Sequence, residues 1–365
     1  MKKYFLTAFA LVLFATIIVS CTDNDDELYV PVSPVVFDIT QVPYAKLSDY
    51  HFFEGEIKNL TPSLNVLPYE PASSLFTDYA QKKRFIWMPP GVQATYDTDG
   101  KILNFPVGTV LIKNFYYTTI QPGNTTKIIE TRLMIRKSTG WIFVEYIWND
   151  AQTDANLLSG ADFENGGLQT FTIKKPNNAN ITIDYRIPSE SECYACHKIN
   201  EVRIPIGVKP QNLNWNYTYA DGSKNQLQKL VEQGYLASFP ASITSAIDYR
   251  DSSQSLELRA RSYLDANCAH CHQDQGRCDY RAIRLGFSQT TNPTNLGICV
   301  VADEEISPTI QKIISPGQFD KSVMHYRIST NEENERMPLL GRTIIHDEGK
   351  LLLEQWITSL TQTCN

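Results

Sequence analysis

The sequence predicts an α+β chain of more than one domain, with a β-sandwich-like N-terminal module followed by a mainly α region. Three observations carry this. Before Pro188 the apolar residues fall in period-two or β-branched runs, the pattern of half-buried strands. After Pro188 they recur at helical spacing. The length of 365 residues accommodates two domains of ordinary size.

In chain order, Met1-Lys2-Lys3 precedes an apolar run from Tyr4 to Val19 and then Ser20-Cys21. The run is short and basic-flanked, so residues 1–20 read as a secretory signal rather than a membrane span. Ile18-Val19-Ser20-Cys21 resembles a lipobox, which makes Cys21 the acylated first residue of the mature chain and the lipid its membrane anchor. Residues 21–34 follow as a tether. Its acidic run Asp23-Asn24-Asp25-Asp26-Glu27 resembles the surface-export tag of Bacteroidetes lipoproteins and equally suits a solvated linker.

Residues 35–188 form the expected β-rich module. Gly108–Lys113, Thr131–Arg136, Trp141–Trp148 and Ile181–Tyr185 are its clearest strands. Lys137-Ser138-Thr139-Gly140 separates two of them as a hairpin turn, and Asp97-Thr98-Asp99-Gly100 is a second turn. Three helices are expected beyond Pro188. Leu227, Leu230, Val231 and Tyr235 mark the first, and Leu256, Ala260, Tyr263 and Leu264 the second. The third opens with Asp347 and Glu348, which suit the positive end of the helix dipole, and continues with Leu352, Trp356, Ile357 and Leu360. The net charge of −7 argues against a nucleic-acid partner, since phosphate binding needs a basic face.

The chemistry is concentrated in the cysteines. There are eight, a usage natural to an exported protein. Four lie in Cys193-Tyr194-Ala195-Cys196-His197 and Cys268-Ala269-His270-Cys271-His272, both of the form C-x-x-C-H. Two thiols spaced by two residues reach the two vinyl groups of one porphyrin, and the adjoining histidine then lies beneath the iron. Composition gives on the order of 0.003 such pentapeptides by chance, so two hits point to two covalent haems c. Cys193, Cys196, Cys268 and Cys271 are the attachment residues, with His197 and His272 as iron ligands. A zinc site built from both C-x-x-C pairs leaves the two histidines unexplained. With Cys21 assigned to lipid, Cys278, Cys299 and Cys364 remain. Cys278–Cys299 is the expected disulfide because both flank what reads as one loop, though spacing alone does not fix pairing.

The second motif, preceded by Tyr263-Leu264-Asp265-Ala266-Asn267 and followed by Arg336-Met337-Pro338-Leu339-Leu340-Gly341 and a C-terminal helix, resembles a class I cytochrome c domain. The resemblance implies Met337 as distal ligand opposite His272, a pair that favours electron relay. It divides the remaining chain into a first haem-binding segment, 189–250, and a cytochrome c-like domain, 251–365. For the first haem the distal candidates are Met88, Met134, Met324, His51 and His325, or the position is open. The whole chain is similar to a family of exported di-haem lipoproteins that join a β-rich module to a cytochrome c domain. The stretches that carry this are Leu75–Phe85, Phe105–Thr109, Ile129–Leu133, Glu192-Cys193 and Arg259–Asp265.

The expected function is electron transfer to a redox partner protein outside the cytoplasm, from a lipid anchor in the outer membrane of a Gram-negative bacterium. Two alternatives stand beside it. One is a di-haem peroxidase or oxidase with the first haem as reactive site. The other is a glycan- or partner-binding β-module coupled to a redox relay, with some of the abundant aromatic residues as its platform.

Overall fold

A computed structural model describes residues 31–364 of the chain. The signal peptide 1–20, Cys21 and most of the 21–34 tether lie outside the described residues.

The N-terminal strands are β1 (Phe53–Glu54), β2 (Thr61–Pro62), β3 (Leu67–Tyr69), β4 (Gln81–Trp87), β5 (Val110–Ile120), β6 (Thr125–Lys137), β7 (Gly140–Trp148), β8 (Ala155–Leu157), β9 (Gly167–Lys174) and β10 (Asn180–Ile187). β1 and β2 form a small ribbon, and the other eight make one antiparallel sheet. Long β5 organises it. β6 pairs along one edge. On the other edge β4 pairs with Val110–Tyr116, and β9 joins only at Ile120. The expected turn at Lys137–Gly140 is the tight hairpin between β6 and β7, with those two residues paired.

The β-sandwich expectation is corrected by this topology. Among the described residues there is one large sheet, and its second face is covered by other segments. On one face, Phe85, Trp87, Val110, Ile112, Leu133, Ile135, Val144 and Tyr146 pack with Leu47, Tyr50 and Phe52. On the opposite face, Ile86, Leu111 and Met134 pack with Leu213, Leu227, Leu230 and Leu236 from beyond Pro188. Both faces are buried, so the strand runs read as they would in a sandwich.

The mainly α expectation is also corrected. Of the described residues, 27% are in extended pairing and 20% are helical, so no mainly α region follows the sheet. The helices are α1 (Ala161–Asn165), α2 (Glu190–Cys196), α3 (Pro210–Leu213), α4 (Gln226–Glu232), α5 (Leu256–Asn267), α6 (Pro293–Leu296), α7 (Val323–Ile328) and α8 (Asp347–Ser359). Only α5 and α8 exceed seven residues. Two further ribbons, β11–β12 (Lys198–Ile199 and Val202–Arg203) and β13–β14 (Asn216–Tyr219 and Gly222–Asn225), lie between α2 and α4 in the chain. Pro, Gly and Asn punctuate this half, and they favour turns over helix continuation.

The three expected helices are α4, α5 and α8. α5 and α8 pack together through Ala260, Tyr263, Leu264, Leu352, Leu353, Trp356 and Ile357. Full burial of such side chains stabilises by about 1.5–3 kcal/mol each. Gly349 permits the approach, because a Cβ there would collide with the Tyr263 hydroxyl and with His346 Nδ1.

From Pro34 onward the chain is one compact unit, and buried polar ties knit its halves. The Asp78 carboxylate accepts from Thr343 N at 2.8 Å and Ile344 N at 3.1 Å. Phe76 stacks on His346 at 4.2 Å. The buried Asp265 carboxylate accepts from Lys209 Nζ, Gln211 Nε2, Asn212 Nδ2 and Phe287 N at 2.8–3.1 Å.

The expected Cys278–Cys299 disulfide is not formed. Cys299 pairs with Cys364, while Cys278 is a buried free thiol. Cys278 N donates to Cys271 O at 3.0 Å, which keeps it beside the second motif. Cys299 instead hydrogen-bonds through its backbone to Ile314 O, where the tail beyond α8 arrives.

Candidate functional site

α2 presents the first motif. Ser189 caps it: its Oγ accepts from Glu192 N at 3.2 Å while the Glu192 carboxylate accepts from Ser189 N at 2.7 Å, a reciprocal capping box. Cys193 and Cys196 are one helical turn apart on α2, and His197 ends it. His197 Nδ1 lies 2.9 Å from Ile204 O, and Ile204 N donates to His197 O at 3.0 Å. Donation from Nδ1–H fixes the tautomer and leaves Nε2 with a free lone pair, the arrangement of a metal-binding imidazole. Burial pushes the His197 pKa down to about 3, so the ring is neutral.

The second motif follows α5. Cys268 N continues the helix ladder to Leu264 O, and His272 N donates to Cys268 O at 3.0 Å. Burial lowers the His272 pKa to about 4. Its Nδ1 is buried without a protein partner, so this ring lacks the orienting bond that His197 has. Met337 lines the same narrow cleft as Cys268, Cys271 and His272.

The two motifs meet in space. Cys196 Sγ and Cys271 Sγ are 4.0 Å apart across 75 residues of sequence. With His270 they form a Cys–His–Cys cluster whose ligand atoms lie within 4.8 Å of one another. Cys193 and Cys268 are outside it, so the four cysteines do not converge on one zinc ion.

A cavity of about 590 Å³ opens beside the first motif. Its walls include Cys193, Cys196, His197, Met134, Phe143, Pro338 and Leu340. The size falls in the range of cofactor sites. Phe143 stands edge-on to His197 at 5.6 Å. Of the five distal candidates, Met134 alone lines this cavity. Met88 is packed in the sheet–helix core, Met324 lies against the α5–α8 cluster, His51 is exposed near the N-terminal ribbon, and His325 bonds Glu354 at 2.7 Å. The cleft at the second motif is only about 40 Å³, and it shares Cys196, His270, Pro338 and Leu340 with the larger cavity.

Haem fits this donor set at the first motif: paired thiols, an oriented neutral imidazole and an apolar chamber. At the second motif the thiols, His272 and Met337 are assembled, but the cleft must widen to admit a porphyrin.

Several site residues were not singled out from sequence. The cavity-facing sheet carries Arg84, Lys113, Arg132 and Glu145. Glu145 is 2% exposed, with Oε1 3.9 Å from Arg132 Nε and Glu130 as its acidic neighbour. Burial, then the Glu130 charge, pushes its pKa well above the usual carboxylate range. The available signal was basic and acidic residues standing at inward positions of otherwise apolar strands.

Among the described residues no helix is long and apolar enough to cross a membrane. No protein-family model matches the chain, and neither the curated proteins nor the solved structures provide a match.

Proposed function

We propose that this chain is a di-haem c-type cytochrome that transfers electrons outside the cytoplasm, lipid-anchored through Cys21 to the outer membrane. The observation that carries the reading is the convergence of both C-x-x-C-H motifs, with Cys196 and Cys271 4.0 Å apart. Cys193/Cys196 and Cys268/Cys271 would hold the two haems, with one attachment sulfur of each pair close to one of the other. Haem iron supplies one-electron redox chemistry when bound.

The protein's part is positional. His197 is held by Ile204 O. Met337 stands in the cleft of His272, and Met134 in the chamber of His197. Met134 and Phe143 give the cavity an apolar wall beside His197. The redox partner is a protein of unassigned identity. The test is a pyridine haemochrome assay with intact mass on protein from a cytochrome-maturing host. Two haems per chain are expected; the bare polypeptide mass refutes the reading.

A second reading is favoured by Glu145. A buried carboxylic acid lining the His197 cavity, its pKa pushed up by burial and by Glu130, suits proton delivery in a peroxidase or oxidase. Spin state separates the two: a high-spin first iron that binds cyanide supports the enzyme, and two low-spin irons support the relay.

A further inference from the structure

The antiparallel register places four charged side chains in one row across the sheet. Arg84 of β4 is opposite Lys113 of β5. Lys113 is opposite Arg132 of β6, and Arg132 is opposite Glu145 of β7. All four line the cavity beside the first motif. Two residues along, on the same face, runs the apolar row Ile86–Leu111–Met134–Phe143, whose last member touches His197. The cavity wall is thus apolar near the imidazole and cationic one step farther along the strands.

Three cations directly opposite one another repel, and burial raises the cost. Local counter-charge covers only part of the row. Arg132 pairs with Glu130 through Nε and Nη2, and Glu130 also accepts from Tyr185. Arg132 Nε also lies 3.9 Å from Glu145 Oε1, a carboxyl whose pKa burial and the Glu130 charge push well above the usual range. Arg84 is 6% exposed; Nη2 reaches Ser74 Oγ at 3.4 Å, and Nη1 is buried without a partner. Glu70 is the acidic group that acts on it. Lys113 has the Phe115 ring at 4.7 Å; burial and the neighbouring cations Arg84, Lys82 and Arg132 push its pKa well down, and Glu130 acts against them. Lys82 spends its ammonium on Leu75 O at 2.8 Å.

We propose that Arg84, Lys113 and Arg132 form a carboxylate-binding site on the sheet, facing the chamber of the first motif. Its ligand has carboxylates at one end and an apolar body that lies on the Leu111–Met134–Phe143 row. Resting on the di-haem reading, the site takes the propionates of the first porphyrin. A free dicarboxylate has the same recognition chemistry.

The test uses the haem-loaded full chain, the variants Arg84→Gln and Lys113→Met, and their double. Haem count, the midpoint potential of each haem and the denaturation midpoint are measured with and without succinate. The variants are expected to keep two haems and to lower the first haem's potential, the second being unmoved. A first-haem potential indifferent to succinate assigns the site to propionates. One that moves with succinate in the natural chain but not in Lys113→Met assigns it to a free dicarboxylate. Two haems with both potentials unchanged, together with greater stability of Lys113→Met, overturns the site while sparing the di-haem reading. A haem count of zero in the natural chain ends that reading instead. The row then stands or falls on whether succinate raises the denaturation midpoint, and no rise overturns it.

Discussion

Arg342 donates from Nε to the Met337 carbonyl at 3.0 Å. Its other donors reach Asn331 Oδ1, Ile344 O, Arg327 O and Thr330 O at 2.9–3.3 Å. A guanidinium has five N–H donors, so the side chain is fully spent on fastening the loop that carries Met337. It is 3% exposed, and each acceptor it leaves behind in a variant costs about 1–3 kcal/mol if buried. Arg342→Lys is therefore expected to keep both covalent haems and to loosen Met337. The checks are the second haem's midpoint potential, which falls, and its absorption spectrum, which loses methionine ligation. An unchanged spectrum at normal haem count would show that this clamp does not position Met337.

Asp265 joins α5 to the segment after the first motif. Burial opposes its ionisation. The Lys209 charge and the Asn212 and Phe287 hydrogen bonds outweigh that and bring its pKa below the ordinary value. A carboxylate depressed in the folded state contributes stability above its unfolded pKa near 4, and that contribution is lost as pH falls through the folded value. Asp265→Asn leaves Lys209 without its anion and is expected to cost on the order of 3 kcal/mol at pH 7. Its denaturation midpoint also falls less with acid than that of the natural chain. Parallel pH curves for the two proteins would contradict the assignment.

His346 has the opposite acid–base character but the same pH direction. It is sandwiched among Phe76, Tyr249 and Tyr263, with Nδ1 3.1 Å from the Tyr263 hydroxyl. Burial lowers its pKa to about 3. Between that value and the unfolded pKa near 6.5 the unfolded chain binds the extra proton, so stability rises with pH there, by up to about 1.4 kcal/mol per unit. Chemical denaturation at pH 7.5 and pH 5 is expected to show the loss in the natural chain and a smaller one in His346→Gln.

What the sequence disclosed and what it hid divide along physical lines. The C-x-x-C-H motifs are legible because the two thiols and the histidine of each fall within five consecutive residues. α5 and α8 are legible because each buries one helical face. The strands from Val110 to Trp148 are legible from their β-branched apolar runs. The single sheet was hidden because a strand covered on both faces carries no sign of what covers it. The pairing of Cys299 with Cys364 was hidden because it depends on where the chain returns after α8. The Arg84–Lys113–Arg132 row was hidden because cross-strand register is set by turns and packing rather than by any one strand.

The Cys299–Cys364 bond joins cysteines 65 positions apart and closes a loop that contains both Met337 and α8. Closing a loop of that length stabilises by about 2–4 kcal/mol. Cys364→Ser is expected to lower the denaturation midpoint and leave the haem count at two. Thiol titration offers a second check. On the proposed reading, with Cys21 acylated and four cysteines bound to haem, denatured protein is expected to expose one reactive thiol, mapped to Cys278. Label on Cys364 instead would refute the pairing.

Met134 decides between the two functional readings. It sits on β6 opposite Phe143, and Phe143 abuts His197. Both Met134 and His197 line the larger cavity. If its thioether closes the sixth position of the first iron, Met134→Ala opens that position at a cost of about 2–5 kcal/mol of packing. The expected result is one high-spin, cyanide-binding haem in the variant against two low-spin haems in the natural chain, read by low-temperature EPR. If the natural chain already shows a high-spin signal that the substitution leaves unaltered, Met134 is a wall residue. The first iron is then open beside the Glu145 acid, and the relay reading gives way to the enzymatic one.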